Sequence, residues 1–250
     1  MYKFFIETNQ KNNNKIKIIG DDVKHIINVL RLKKEEKIQI CNIDTSINYV
    51  AEIEEYNKEE VICNIIEEIQ SEVESNVILD IYQGLPKSDK MELIIQKTTE
   101  IGVSSIIPVS MERCIVKLNG KDEQKKIERW QKIAEVAAKQ SKRDKIPKIE
   151  SVQIIKQVCE KIEEYDCFII AYEDEKNIKL KQVLKQIPKT NKVLKIGALI
   201  GPEGGIDEKE IKELEKYNVK VVTLGNRILR TETAPISIAS IILYELEGEE

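Results

Sequence analysis

From Val77 to the C-terminus, apolar strand-like runs alternate with helix-like segments, and this alternation restricts the possible folds more than any other feature. "VILDIYQGL", "VSSIIPVS", "DCFIIAYE", "KIGALIG" and "VKVVTLG" read as strands. Between them lie "KSDKMELIIQKTTEIG", a long basic helix over about 122–141, "IKLKQVLKQI" and "DEKEIKELEKY", with "PISIASIILYELE" closing the chain. Gly102 ends the first of these helices. Strands that alternate with helices build a mainly parallel sheet covered on both faces. Residues 1–72 read differently. "YKFFIE", "KIKII", "KIQICNI", "NYVAEIEEY" and "VICNIIEEI" are short strands separated by polar turns and interrupted by one helix, "DDVKHIINVLRL". Val23, Ile26, Ile27 and Leu30 supply that helix with an apolar stripe. The fold class is therefore α/β, with a small β-barrel-like domain over 1–72 and a larger domain over 73–250. The polar "EEIQSEVESN" joins them.

Composition excludes several function classes. Aromatics make up only 5% of the 250 residues, so the core rests on Ile, Val and Leu. No apolar run approaches the ~20 residues of a membrane span. "MYKFFIETNQKNNNK" is too polar for a signal peptide. The five cysteines are scattered and His25 is the only histidine. That argues against zinc and against Ser-His-Asp or Cys-His catalysis. The chain reads as cytoplasmic, with buried, reduced thiols. The net charge of −4 hides strong local imbalance: residues 113–148 hold twelve Lys/Arg against five acids. Local basic surface governs affinity for a phosphate backbone, so this distribution permits RNA binding without requiring it.

Two loops carry the chemistry. "ALIGPEGGIDEKEI", residues 198–211, is a glycine-rich turn between a strand and a helix, the place where many proteins hold a phosphate. It has no lysine or arginine ahead of its helix, and it fits neither common phosphate-loop pattern. Asp207 and Glu208 cap the next helix, whereas Glu203 precedes it without such a role. A turn of this kind suits a neutral or cationic ligand such as S-adenosylmethionine, or else is an ordinary tight turn. "LGNRILRTETAP", residues 224–235, repeats the arrangement: a strand ends at Gly225 and a polar knot follows. Thr231 or Thr233 as N-cap and Pro235 in the first turn explain part of it. Arg227 and Arg230 among leucines point instead to a polar site at the carboxyl ends of the strands.

Together the two loops resemble the signature of the family that methylates N3 of a uridine in small-subunit (16S) ribosomal RNA, within the SPOUT superfamily. "LPKSDKMELIIQKTTEIGVSSIIPV", "ERCIVK" and "ERWQKIAEVAAKQSKRDKIPKI" resemble further family landmarks, and "HIINVLRLKKEEKI" resembles part of its PUA-like RNA-binding domain. The resemblance runs nearly end to end. It implies a C-terminal SPOUT domain with a deep trefoil knot, an N-terminal PUA-like β-barrel, S-adenosylmethionine as cofactor, and a homodimer acting on 16S ribosomal RNA or the small ribosomal subunit. Composition leads to the expectation of no metal and no membrane partner. The implied cofactor pocket comprises Ala171, Leu199, Ile200, Gly201, Pro202, Glu203 and Gly204, with Leu224, Gly225, Ile228, Leu229 and Arg230 as its other wall. Expected RNA contacts are Arg31, Lys33, Arg113, Arg129, Lys139 and Arg143. Trp130 reads as a helix-packing residue.

N3 of uridine carries a proton at neutral pH, so methyl transfer needs that proton removed and the anion stabilised. Arg230 is the candidate for stabilising charge on the uracil carbonyls. Glu232 or Glu203 would orient the base or accept the proton. Two other readings compete: a non-catalytic RNA-binding assembly factor on the same fold, and a nucleotide-dependent enzyme using "GPEGG" as a phosphate loop.

Overall fold

The structure, a computed structural model, describes residues 1–70, 73–188 and 193–247. Two units result: Met1–Glu74 with Ala138–Ile146, and Ser75–Ala137 with Pro147–Glu250. The sequence-based partition placed 138–146 with the second unit, and residues 71–72 of the expected join lie outside the described residues.

The first unit contains β1 (Lys3–Ile6), β2 (Lys11–Asn12), β3 (Lys15–Ile19), β4 (Lys37–Asn42), β5 (Asn48–Tyr56) and β6 (Glu60–Ile69). They form one sheet in the order β1-β4-β5-β6-β3-β2. β1 pairs with β4 in parallel and the remaining pairs are antiparallel. In "KIKII" the isoleucines Ile16 and Ile18 point inward while their lysine neighbours stay exposed, the period-two pattern of a half-buried strand. Ile16 and Ile18 share one core with Ile38 and Ile40 from the far side of the sheet, which therefore curls around that core as a partial barrel. The expected first helix divides into α1 (Asp21–Lys24) and a π-helix, His25–Leu30. It stops at Arg31, whose φ of 55° turns the chain left-handed.

The second unit holds β7 (Val77–Gly84), β8 (Ser105–Ser110), β9 (Lys148–Ile149), β10 (Gln153–Ile154), β11 (Cys167–Ala171), β12 (Leu194–Ile200) and β13 (Val219–Val222). Every pairing is parallel, in the order β10-β8-β7-β12-β11-β13, with β9 also on β8. The helices are α2 (Lys90–Ile101), α3 (Gly120–Gln140, which belongs to this unit as far as Ala137), α4 (Ile155–Lys161), α5 (Leu180–Leu184), α6 (Glu208–Leu214) and α7 (Thr233–Leu246). Buried on both faces, "GALI" of β12 reads as a continuous apolar run. Trp130 is buried, as a packing role requires. From β7 the chain crosses to β8 on one side, whereas β12 pairs on the other. The carboxyl ends of β7 and β12 thus flank a topological switch point, where open α/β sheets place their ligands.

Candidate active site

Three turns meet at that switch point. Gly84 ends β7, and a Cβ there would lie 2.6 Å from both the nitrogen and Cδ of Pro202. Only glycine lets these two backbones approach so closely. Gly205 N–H donates to Pro202 C=O at 2.9 Å, closing the "GPEGG" turn, and Gly205 has a φ of 71°, the left-handed region that favours glycine.

The third turn is pinned by side chains. Thr231 Oγ1 donates to Gly201 C=O at 2.8 Å. Gln83 Nε2 donates to Thr231 Oγ1 at 3.0 Å and to Gly84 C=O at 2.9 Å, with Gly201 C=O at 3.4 Å. Gln83 is fully buried and Thr231 is 6% exposed, so these bonds are shielded from water. The expectation that Thr231 or Thr233 caps α7 is corrected: Glu232 occupies the cap position and no side chain caps the helix. The Thr231 hydroxyl is instead committed to a carbonyl 30 residues away. Pro235 does fall in the first turn of α7. Asp207 caps α6 as expected, accepting from Lys209 N–H at 3.0 Å.

Both carboxylates singled out as catalytic candidates converge on a residue that sequence reasoning missed. Glu203 Oε1 accepts from Lys90 Nζ at 2.9 Å and from the Lys87 backbone N–H at 3.1 Å. Glu232 Oε2 lies 3.3 Å from the same ammonium, an ion pair without hydrogen-bond alignment. Burial works against the charged form of Glu203. The Lys90 ammonium and the N–H groups of Glu203 and Lys87 outweigh it, and the net effect lowers its pKa. The Lys90 pKa is raised, first by its hydrogen bond to Glu203. A carboxylate held this way is a weak base, which revises the expectation of proton acceptance by Glu203. One signal for Lys90 stands in the sequence: "SDKME" puts a lysine at the first position of a helix, where the dipole disfavours a cation.

Around these turns lies a cavity of about 900 Å³, within the range typical of ligand sites. Ala171, Ile200, Gly201, Pro202, Glu203, Gly204, Leu224, Gly225, Ile228, Leu229 and Arg230 all line it. Leu199 does not; it is fully buried in β12, since adjacent strand residues face opposite ways. Glu232 also stands outside the lining, although it pairs with Lys90, which is part of it. Four carboxylates (Glu173, Asp174, Glu175, Glu203) and four cations (Lys90, Lys176, Arg227, Arg230) border the space. This balance suits a ligand carrying both charge signs better than a polyphosphate.

The expected RNA contacts divide by environment. Arg31 and Lys33 are exposed. Arg113 leans on the glycine turn, with Nη1 3.2 Å from Gly204 C=O and Nε 3.4 Å from Asp207. Arg129 pairs with Glu92 at 2.8 Å, and Lys139 with Asp22 at 2.8 Å. Arg143 is corrected. It is buried, and its guanidinium grips Glu74 at 2.7 and 3.2 Å, so it stabilises the first unit and cannot face RNA. All five cysteines are buried and unpaired. Burial pushes the Cys41 and Cys63 thiols up to about 12. Among the described residues no group of three or more His, Cys, Asp or Glu gathers as a metal site, and no helix is long and apolar enough to cross a membrane.

A curled sheet domain and a parallel α/β domain with a cavity at its switch point together define a two-domain α/β protein of the ligand-binding class. The RNA methyltransferase domain family matches residues 73–243, and the RNA methyltransferase PUA domain family matches residues 18–66. The chain is 35% identical over 254 residues to ribosomal RNA small subunit methyltransferase E of Bacillus subtilis, covering 99% of this chain and 98% of that protein. To the protein of the same name from Mesomycoplasma hyopneumoniae it is 35% identical, covering 94% and 96%. Among solved structures, ribosomal RNA small subunit methyltransferase E from Neisseria gonorrhoeae bound to S-adenosyl methionine superposes with a TM-score of 0.84 at 28% identity, covering 98% and 97%. The chain belongs to the ribosomal RNA small subunit methyltransferase E family.

Proposed function

We propose that this protein transfers a methyl group from S-adenosylmethionine to N3 of a uridine in 16S ribosomal RNA. One observation carries the reading: two glycine turns from strands of one parallel sheet, pinned by Gln83 and Thr231, border a cavity of mixed charge next to Arg230. The names of the full-length relatives and the cofactor in the Neisseria gonorrhoeae structure support it. S-adenosylmethionine, when bound, supplies the electrophilic methyl group. The chain's own residues orient and polarise. The "GPEGG" turn, Leu224 and Leu229 hold the cofactor, and Arg230 stabilises charge that develops on the uracil carbonyls. N3 lies on the pairing edge, so the target base must be unpaired or flipped outward. A homodimer, a trefoil knot through the two turns and a cytoplasmic location belong to the same reading. Exposed Arg31 and Lys33 would grip the RNA backbone.

Calorimetry with S-adenosylmethionine and with ATP tests the cofactor assignment. The reading expects measurable binding of the first and none of the second. Arg230→Ala should keep S-adenosylmethionine affinity within a few-fold while turnover falls about 10²-fold. A folded sample that binds ATP and not S-adenosylmethionine refutes the reading.

A further inference from the structure

We propose that Lys90 is a catalytic residue, its ammonium group stabilising the negative charge on a uracil carbonyl as N3 loses its proton, and that Glu203 and Glu232 are its positioning residues. The proposal deepens the function proposed above and rests on it.

Four observations lead there. Lys90 opens α2, where the helix dipole opposes a cation, so helix stability does not explain it. The turn that delivers it carries Ser88 at a φ of 56°, a left-handed conformation that costs a non-glycine residue about 1 kcal/mol or more. Carboxylates from two other segments converge on its Nζ, Glu203 at 2.9 Å and Glu232 at 3.3 Å. An exposed ion pair has little worth for stability, but two anions fix the direction of one flexible side chain. Finally, Lys90 lines the cavity together with Glu203 while Glu232 does not, so the Lys90 ammonium itself borders the space. Nζ has three N–H donors. One is hydrogen-bonded to Glu203 and the Glu232 ion pair is unaligned, so donors remain for a ligand oxygen.

The chemistry needs such a group. When the N3 proton passes to solvent water, the charge left on uracil spreads over N3 and its two flanking carbonyl oxygens. The N3 lone pair then forms the new N–CH3 bond, while the S–CH3 bond breaks and its electron pair stays on sulfur. Two flanking oxygens accommodate two cations, Arg230 and Lys90, and a preorganised cation at each lowers the barrier without reorganisation. Fixing Lys90 rather than leaving it mobile is the work of the two carboxylates.

The test compares wild type with Lys90→Met and Lys90→Arg on small ribosomal subunits reconstituted with uridine RNA or with 5-fluorouridine RNA. Fluorine makes the N3 proton more acidic, so the anion needs less help. Lys90→Met should lose about 10²-fold in turnover on uridine RNA, and fluorouridine should shrink that gap at least about tenfold. Lys90→Arg should stay within about tenfold of wild type, because the charge is kept. Calorimetric affinity of Lys90→Met for S-adenosylmethionine should change less than about threefold, which an effect exerted through the cofactor turn would not allow. If Lys90→Met does not fold, Lys90→Gln carries the same comparison. An equal gap on both RNAs overturns the proposal and leaves the proposed function standing. Wild type that methylates no uridine at N3 instead refutes the function itself.

Discussion

Replacing Thr231 with valine removes one hydroxyl and nearly preserves shape, yet it should disconnect two of the three turns at the site. The hydroxyl donates to Gly201 C=O at 2.8 Å and accepts from Gln83 Nε2 at 3.0 Å. In the variant Gly201 C=O keeps only the long 3.4 Å approach of Gln83 Nε2, which itself retains Gly84 C=O. Gln83 Oε1 already has no hydrogen-bond partner, so the cluster has little capacity to rearrange. A buried hydrogen bond contributes about 1 kcal/mol net, and an unsatisfied buried carbonyl costs about 1–3 kcal/mol. Thr231→Val should therefore destabilise the second unit by about 2–3 kcal/mol. Urea unfolding followed by fluorescence of Trp130, the single tryptophan, reads this unit directly. Cofactor affinity should fall as well, because the ligand must now order the two turns it binds. A loss below about 0.5 kcal/mol would refute the pinning argument. So would additivity with Gln83→Leu, since residues in one hydrogen-bond network couple.

Other outcomes follow from the same geometry. Gly84→Ala places a Cβ 2.6 Å from Pro202 backbone; it should cost about 1–3 kcal/mol and weaken S-adenosylmethionine binding by calorimetry. Arg143→Met leaves Glu74 without its guanidinium partner and should destabilise the first unit by about 3 kcal/mol, with RNA affinity of the folded protein unchanged in filter binding. Glu203 has a lowered pKa in the folded protein. Its contribution is therefore complete above the ordinary carboxylate value and lost as pH falls through the lowered one. Stability of the second unit, read by urea unfolding, should be level from neutral pH down through the ordinary carboxylate range and decline only as pH falls through the lowered value. Thiol-specific reagents should leave all five buried cysteines untouched in the native protein and titrate five after unfolding.

Periodicity made the α/β class, the parallel sheet and both loops legible, because strand and helix patterns are local. "DEKEIKELEKY" shows its cap in Asp207 for the same reason. Long-range pairings were not legible. Gln83 and Thr231 are 148 residues apart, and nothing near "TETAP" distinguishes a threonine that caps a helix from one that staples a distant turn. Arg143 sits in a basic run, "KQSKRDK", where its neighbours are solvated; its burial depends on Glu74, 69 positions earlier. Lys90 stands in a polar helix start, and its Glu203 partner lies 113 positions away. The structure shows that Glu203 and Glu232 both hold the lysine. β9 and β10, two residues each, are too short to carry a period. The π-helix at His25–Leu30 shares its stripe with an ordinary α-helix.

The most direct test of the central claim is methyl transfer to small ribosomal subunits from a strain lacking this protein. The product RNA is digested to nucleosides and resolved by mass spectrometry. The account predicts one new N3-methyluridine, dependent on both the protein and S-adenosylmethionine. A methyl group on another atom or base, or none at all from a folded, cofactor-binding sample, would contradict it.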